Sequence, residues 1–197
     1  MEKTTKERIR DTFLGLLSQK SLDQITVKNI IEEAGVNRNT FYYYYKDIYA
    51  LIDGLYEDGE IYLAANTTED HTYYDAYCHF YEEMLPFRTV MLNLYHSKGR
   101  ERLLETERKL AMKFVKRFVL LKARGYDISE EEIDFITYFY SATFYMNLLY
   151  WLDYGMRGTA VELIERTAES FEASIDSMIH DAVVHTVGNV EAGKKNN

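Results

Sequence analysis

The 197-residue sequence contains one cysteine (Cys78), one proline (Pro86), one tryptophan (Trp151) and ten glycines. A lone cysteine excludes an intrachain disulfide framework and fits a reducing, cytoplasmic setting. With one proline and few glycines, helices can run long without interruption. No stretch of 18 apolar residues occurs and no signal-peptide pattern opens the chain, so no membrane partner is expected. Signatures of chemistry are equally scarce. There is no Gly-rich phosphate loop, no Gly-x-Ser-x-Gly elbow, no Cys-x-x-Cys and no His-Glu-x-x-His. His71, Cys78, His79 and His96 are metal-ligand types, but Cys78 and His79 are adjacent and would diverge on a helix. His180 and His185, five apart, suit a solvated helix end. Glu130, Glu131, Glu132 and Asp134 form an acidic first turn that complements a helix dipole, not a catalytic carboxylate pair. The expectation is no enzyme, no metal and no cofactor.

Hydrophobic residues make up 47% of the chain, with 18 tyrosines and 10 phenylalanines, enough for a sizeable core. The net charge of -9 argues against a nucleic-acid partner. Its distribution weakens that objection. Residues 1–50 carry 8 basic and 7 acidic side chains, whereas the rest carries 15 and 25. The acidity therefore belongs to the second part. It lowers non-specific affinity for DNA without excluding a local contact with phosphate.

Residues 26–46 carry the strongest signal. Thr26 is a candidate N-cap. Val27, Ile30, Ile31 and Ala34 then mark one apolar helical face. Gly35 sits where a left-handed residue would close that helix. Val36 would plug the corner, and Asn37 would cap a second short helix. Phe41 and Tyr45, four apart, face a small core. Arg38, Asn39, Tyr42, Tyr43 and Tyr44 cannot all be buried. Two short helices around a tight glycine turn form a helix-turn-helix, whose second helix enters the major groove of DNA. Arg pairs with guanine and Asn with adenine, while Thr and Tyr hydroxyls reach phosphates. A plain two-helix corner is the competing reading, and four consecutive tyrosines argue against it, since a structural helix has no use for so many exposed rings.

The pattern Thr-Val-x-x-Ile-x-x-x-Ala-Gly-Val-x-x-x-Thr-Phe-Tyr-x-Tyr over residues 26–44 resembles the TetR family of bacterial transcriptional regulators. The segment from Asn37 to Tyr49, with Trp151 followed by Gly155-Met156, resembles a branch that includes regulators of dihydroxyacetone kinase. The resemblance implies an all-α homodimer that binds a palindromic double-stranded operator. It implies phosphate contacts for Thr26, Thr40 and Tyr44, and base-edge or groove contacts for Lys28, Arg38, Asn39 and Tyr43. Asn37, Tyr42 and Lys46 complete the candidate DNA-binding set. Many members have Lys where this chain has Ile48, and Lys46 is near enough to substitute.

Three domains of organisation follow. Residues 1–50 read as a three-helix DNA-binding head, with the motif at 26–45 and a capping box at Thr4 and Glu7. Residues 51–187 read as a helical ligand-binding and dimerisation body, and 188–197 as a flexible tail. Asn66 to Thr72 reads as a loop. Helices are expected at about 73–85, 87–96, 100–124, 130–154 and 159–187, with Ser129 capping the fourth and Gly155 and Gly158 ending it. Ile164, Ala168, Phe171, Ile175 and Met178 alternate steps of three and four, a heptad-like seam expected to form the dimer interface. The preceding helix is apolar on two sides, Ile133, Ile136 and Tyr140 on one and Phe135, Phe139, Ala142, Met146 and Leu149 on the other. Such a helix needs two partners, one of which could be a second subunit. Tyr77, Phe80, Tyr81, Phe114, Phe118, Tyr145 and Trp151 are candidates to line a pocket for a small, partly apolar effector. The expected function is a repressor released from its operator by that effector. The alternatives are a body that binds a protein partner in an activator-type regulator, and an enzyme with a helical head.

Overall fold

The computed structural model describes residues 3–66, 72–157 and 161–195. Among the described residues the structure is helical with no strand, and no helix is long and apolar enough to cross a membrane. The helices are α1 (Thr5–Leu17), α2 (Val27–Ala34), α3 (Arg38–Tyr44), α4 (Tyr49–Asn66), α5 (Tyr73–Met84), α6 (Arg88–Tyr95), α7 (Arg100–Lys122), α8 (Glu130–Asp153) and α9 (Val161–Lys195). Two compact units result. One holds residues 1–61 with 83–107, the other 62–82 with 108–197. The loop expected around 67–71 and the glycine at 158 lie outside the described residues.

In the first unit, local signals fix the helix ends. The Thr4 hydroxyl accepts the Glu7 backbone N–H, and the Glu7 carboxylate accepts the Thr4 N–H, the expected capping box. Asp47 accepts the Ala50 N–H at 3.0 Å and so opens α4. Ile9, Phe13, Leu16 and Leu17 of α1 are buried with Ile30, Ala34, Phe41, Leu51 and Ile52. Residues 83–107, which the sequence reading assigned to the body, complete this core through Val90, Met91, Leu94, Tyr95 and Leu103. The Asn93 amide donates to the Leu17 carbonyl at 2.7 Å, and the Arg102 guanidinium grips both oxygens of Asp53. The chain comes close at Gly99, where a Cβ would meet Leu22 Cδ2 at 2.6 Å and Ile52 Cδ1 at 3.2 Å, so a larger residue would force the Leu22 side chain to move.

In the second unit the core is aromatic. Tyr73 stacks on Phe171 with ring centroids 3.7 Å apart and meets Tyr77, Phe114 and Phe118. Phe144 of α8 contacts Tyr77, Phe80, Tyr81 and Phe114, and Tyr81 meets Trp151 edge-on. Helix α9 packs along α8. The stripe Ile164, Ala168, Phe171 and Ile175 is fully buried by its own chain, and Met178 is half-buried. This corrects the expected dimer seam. The heptad-like spacing is real, but its partner is the body's own core, so it has almost no area left for a second subunit. The other expected face, on α8, is open. Phe135, Phe139 and Met146 of that face are all more than half exposed, and Tyr138, which was not expected there, is exposed beside them. Helix α9 also continues to Lys195 where a tail was expected from Gly188, with no proline to stop it.

Buried polar groups sit on α7 and α8. Thr137 is fully buried, and among the described residues its hydroxyl has no hydrogen-bond partner. Glu107 is 6% exposed, and among the described residues its Oε2 likewise has no partner. Burial pushes the Glu107 carboxyl up to about 7. In the unfolded chain an ordinary carboxylate ionises near pH 4, so between these values the folded state holds the extra proton. Stability therefore falls as pH rises through that window, reaching a penalty on the order of 3 kcal/mol above pH 7. Glu107→Gln removes the titrating group. Its urea midpoint should rise relative to the parent on going from pH 5 to pH 8. A difference independent of pH would show that Glu107 is not buried as a carboxylic acid.

Candidate nucleic-acid interface

The motif folds as its residue types dictate. The Thr26 hydroxyl accepts the Asn29 N–H at 3.2 Å and donates to Asn29 Oδ1 at 2.8 Å, while that Oδ1 accepts the Thr26 N–H at 3.0 Å. Asn29 thus supplies a reciprocal cap that the Glu/Gln rule did not anticipate. Gly35 closes α2 in the left-handed region, at φ 63° and ψ 39°. The Val36 N–H reaches back to the Ile31 carbonyl at 3.0 Å, satisfying a carbonyl that the helix end leaves open. Asn37 Oδ1 accepts the Thr40 N–H at 2.8 Å and the Thr40 hydroxyl at 3.1 Å, which starts α3.

Helix α3 is only seven residues long, and its orientation is set by two buried anchors, Phe41 and Tyr45. Their rings are 5.9 Å apart, and the Tyr45 hydroxyl reaches the Lys6 carbonyl at 3.5 Å. At 100° per residue, Asn39 and Tyr43 each lie roughly 160° around the helix from Phe41, so they point most directly away from the core. Exposure follows this geometry. Tyr43 is 82% exposed, against 44% for Tyr42 and 39% for Tyr44. Arg38 and Asn39 are exposed and Thr40 is half-buried. The Arg38 guanidinium lies 5.4 Å from the Tyr42 ring centroid, and Tyr43 meets Tyr44 edge-on at 4.9 Å.

The remaining candidates are also at the surface. Thr26, Lys28, Asn37 and Lys46 are exposed. Lys28 pairs with Glu32 one turn along α2 at 3.7 Å, an exposed ion pair worth little and easily exchanged for a phosphate. The face therefore offers one guanidinium, two amides, hydroxyls, two ammonium groups and three aromatic rings. It can donate to phosphates and present planar groups to base edges.

The candidate pocket residues fare differently. Tyr77, Phe80, Tyr81, Phe114, Phe118 and Trp151 are buried and Tyr145 is half-buried. The buried rings pack on one another. Among them runs a polar thread that sequence reasoning missed. Asn147 donates to the Tyr77 hydroxyl at 2.9 Å and to the Thr167 hydroxyl at 2.7 Å, and Thr167 donates to the Leu163 carbonyl. Burial pushes the Tyr77 phenol up to about 12, so it stays a neutral donor and acceptor. Among the described residues no cluster of His, Cys, Asp or Glu could hold a metal.

Residues 9–55 match the family model described as bacterial regulatory proteins, tetR family. Residues 71–173 match the model described as a transcriptional regulator C-terminal region. An uncharacterized HTH-type transcriptional regulator YxbF of Bacillus subtilis is 33% identical over 58 residues, 29% of this chain but only 15% of that protein's length. A TetR transcriptional regulator structure from Streptococcus agalactiae 2603V is 25% identical at a TM-score of 0.59, over 84% of this chain and 92% of that one. The dihydroxyacetone kinase operon activator DhaS aligns over 91% of this chain and 96% of its own at a TM-score of 0.58, with 15% identity, a likeness of fold alone.

Because Asn37 is engaged as a cap, its role separates from DNA contact by substitution. Asn37→Ser should keep both stability and DNA binding, while Asn37→Ala should lose about 1 kcal/mol in thermal or urea unfolding. Weakened DNA binding by Asn37→Ser at unchanged stability would instead make Asn37 a direct contact.

Proposed function

The chain belongs to the TetR family of bacterial transcriptional regulators, and from that premise we propose that it binds a palindromic operator as a homodimer and represses until a small molecule enters its body. The observation that carries the DNA reading is the outward face of α3, where Arg38, Asn39 and Tyr43 are exposed on a helix pinned by buried Phe41. Catalysis has no part in this reading. Two such helices reading a palindrome sit about 34–36 Å apart, in successive major grooves.

Support for the homodimer comes from α8. Phe135, Tyr138, Phe139 and Met146 recur at helical spacing on one exposed face, a surface that a lone subunit would leave wet. Pairing this face across a twofold axis makes it self-complementary, the common solution for a symmetric dimer. The effector reading is supported by the aromatic interior, whose packed rings would part around a small, partly apolar ligand and offer it the Tyr77, Asn147 and Thr167 groups that otherwise bond one another. The effector acts by population shift. It favours a body state that is incompatible with both heads on DNA, and its coupling energy is the difference in its affinity for the two states.

Two experiments test the reading. Selection of bound sequences from a random duplex library should recover a palindrome with half-sites about one helical turn apart or slightly more. Arg38→Ala and Asn39→Ala should each cost about 1–3 kcal/mol on that duplex and relax one base position. An equal loss on all sequences would remove their base-reading role. Phe139→Glu should give a monomer by sedimentation equilibrium and weaken operator binding sharply while the far-ultraviolet spectrum stays helical. If the parent chain is already monomeric and still binds DNA, the α8 face belongs to a different protein partner.

A further inference from the structure

We propose that Tyr43 is a thymine reader, its ring packing on the 5-methyl group of a thymine next to the adenine held by Asn39. The inference rests on the DNA reading above and names the base class that α3 selects. Three tyrosines share this helix, and their surroundings divide their roles. Tyr42 lies beside the Arg38 guanidinium and meets Phe41 edge-on at 5.4 Å, so it braces Arg38. Tyr44 is the least exposed of the three and follows Thr40 by one turn, on the flank of the helix. Tyr43 alone is open over 82% of its surface, and it stands one turn after Asn39 on the outermost strip of α3.

The chemistry of the groove fits this strip. An adenine offers N7 and the N6 amino group to an amide such as Asn39, and thymine is the base with an apolar group in the major groove. Residues one helical turn apart are about 5.4 Å apart along the axis, while stacked base pairs rise about 3.4 Å. Asn39 and Tyr43 therefore address base pairs one or two steps apart. An aromatic face gains most from covering a methyl that is otherwise wet. The weak net charge of residues 1–50, 8 basic against 7 acidic, leaves more of the discrimination to such contacts.

The test compares thymine with uracil, which differ by the methyl alone. The duplex is the one recovered by selection, with deoxyuridine placed at each half-site thymine in turn. Covering one methyl corresponds to about a fourfold change in Kd for one half-site and about fifteenfold for both. The expected result is one thymine position showing this loss for the parent protein and for Tyr43→Phe, and no loss there for Tyr43→Ala. The Phe variant separates the ring from the hydroxyl. A uracil penalty that persists in Tyr43→Ala overturns the proposal, as does the absence of any penalty in the parent. A penalty abolished in Tyr43→Phe overturns it too, because the hydroxyl would then be the contact. If the parent selects no sequence at all, the operator reading fails first, and that outcome is distinct from methyl-insensitive binding to a recovered operator.

Discussion

A seven-residue helix has no stability of its own in water, since nucleating a helix costs more than so few hydrogen bonds return. Everything the first unit does depends on holding α3 in shape from outside. Phe41 and Tyr45 tie one side to a core built by α1, α2 and residues of α6. Asn37 ties the start, and the left-handed Gly35 sets the angle of entry. Each anchor lies on the inner side or at the end, so none competes with Arg38, Asn39 or Tyr43 for the outer face. The same division explains why the core is overbuilt relative to the helix. A reader of base edges has to arrive pre-ordered, because ordering it on the DNA would subtract from affinity.

The second unit solves the opposite problem, burying many tyrosines without orphaning their hydroxyls. Tyr81 donates to the Phe144 carbonyl at 3.4 Å, Tyr140 pairs with Ser174 at 2.7 Å, and Tyr77 takes its hydrogen bond from Asn147. The start of α5 is handled by a distant side chain. Glu172 of α9 accepts the Tyr73 N–H at 2.7 Å and pairs with Lys122 at 3.3 Å. That carboxylate acts as a cap supplied from another helix, and it fixes the stacked pair Tyr73 and Phe171 at the same place. Ring contacts contribute area and geometry together, which is why the rings recur in edge-on and stacked pairs.

The head was legible in the sequence because its determinants are local. Thr4 with Glu7, Thr26, Gly35, Asn37 and Asp47 all act within three or four residues of themselves, and the structure shows each doing so. What was not legible depends on which of several partners a face meets. Ile164, Ala168, Phe171 and Ile175 form a seam in sequence, but periodicity cannot say whether the partner is another helix of the same chain or a second copy. Only the fold shows the seam spent inside and Phe135, Tyr138, Phe139 and Met146 left outside. The recruitment of residues 83–107 into the first unit was invisible for a similar reason. Asn93 to Leu17 and Lys98 to Asp23 are hydrogen bonds between residues more than 70 apart. The aromatic residues of the body were expected to line a pocket, and most are buried against one another, because spacing cannot tell rings that enclose a cavity from rings that fill one another's space.

The charge distribution places a further condition on how such a protein recognises DNA. Phosphate neutralisation supplies most non-specific affinity and grows with the number of released counterions. A first segment with 8 basic and 7 acidic residues, on a chain whose remainder is strongly acidic, has few such charges to spend. Lys28 is further shared with Glu32. So few positive charges favour little counterion release, which puts more weight on groups that do not depend on charge. Amide, hydroxyl and ring contacts on α3 are such groups. Contacts of that kind are the ones able to discriminate between bases, because each needs a matching edge or methyl at a fixed distance. The four consecutive tyrosines divide accordingly, Tyr45 buried as an anchor and Tyr42, Tyr43 and Tyr44 left at the surface, with Tyr43 the most open.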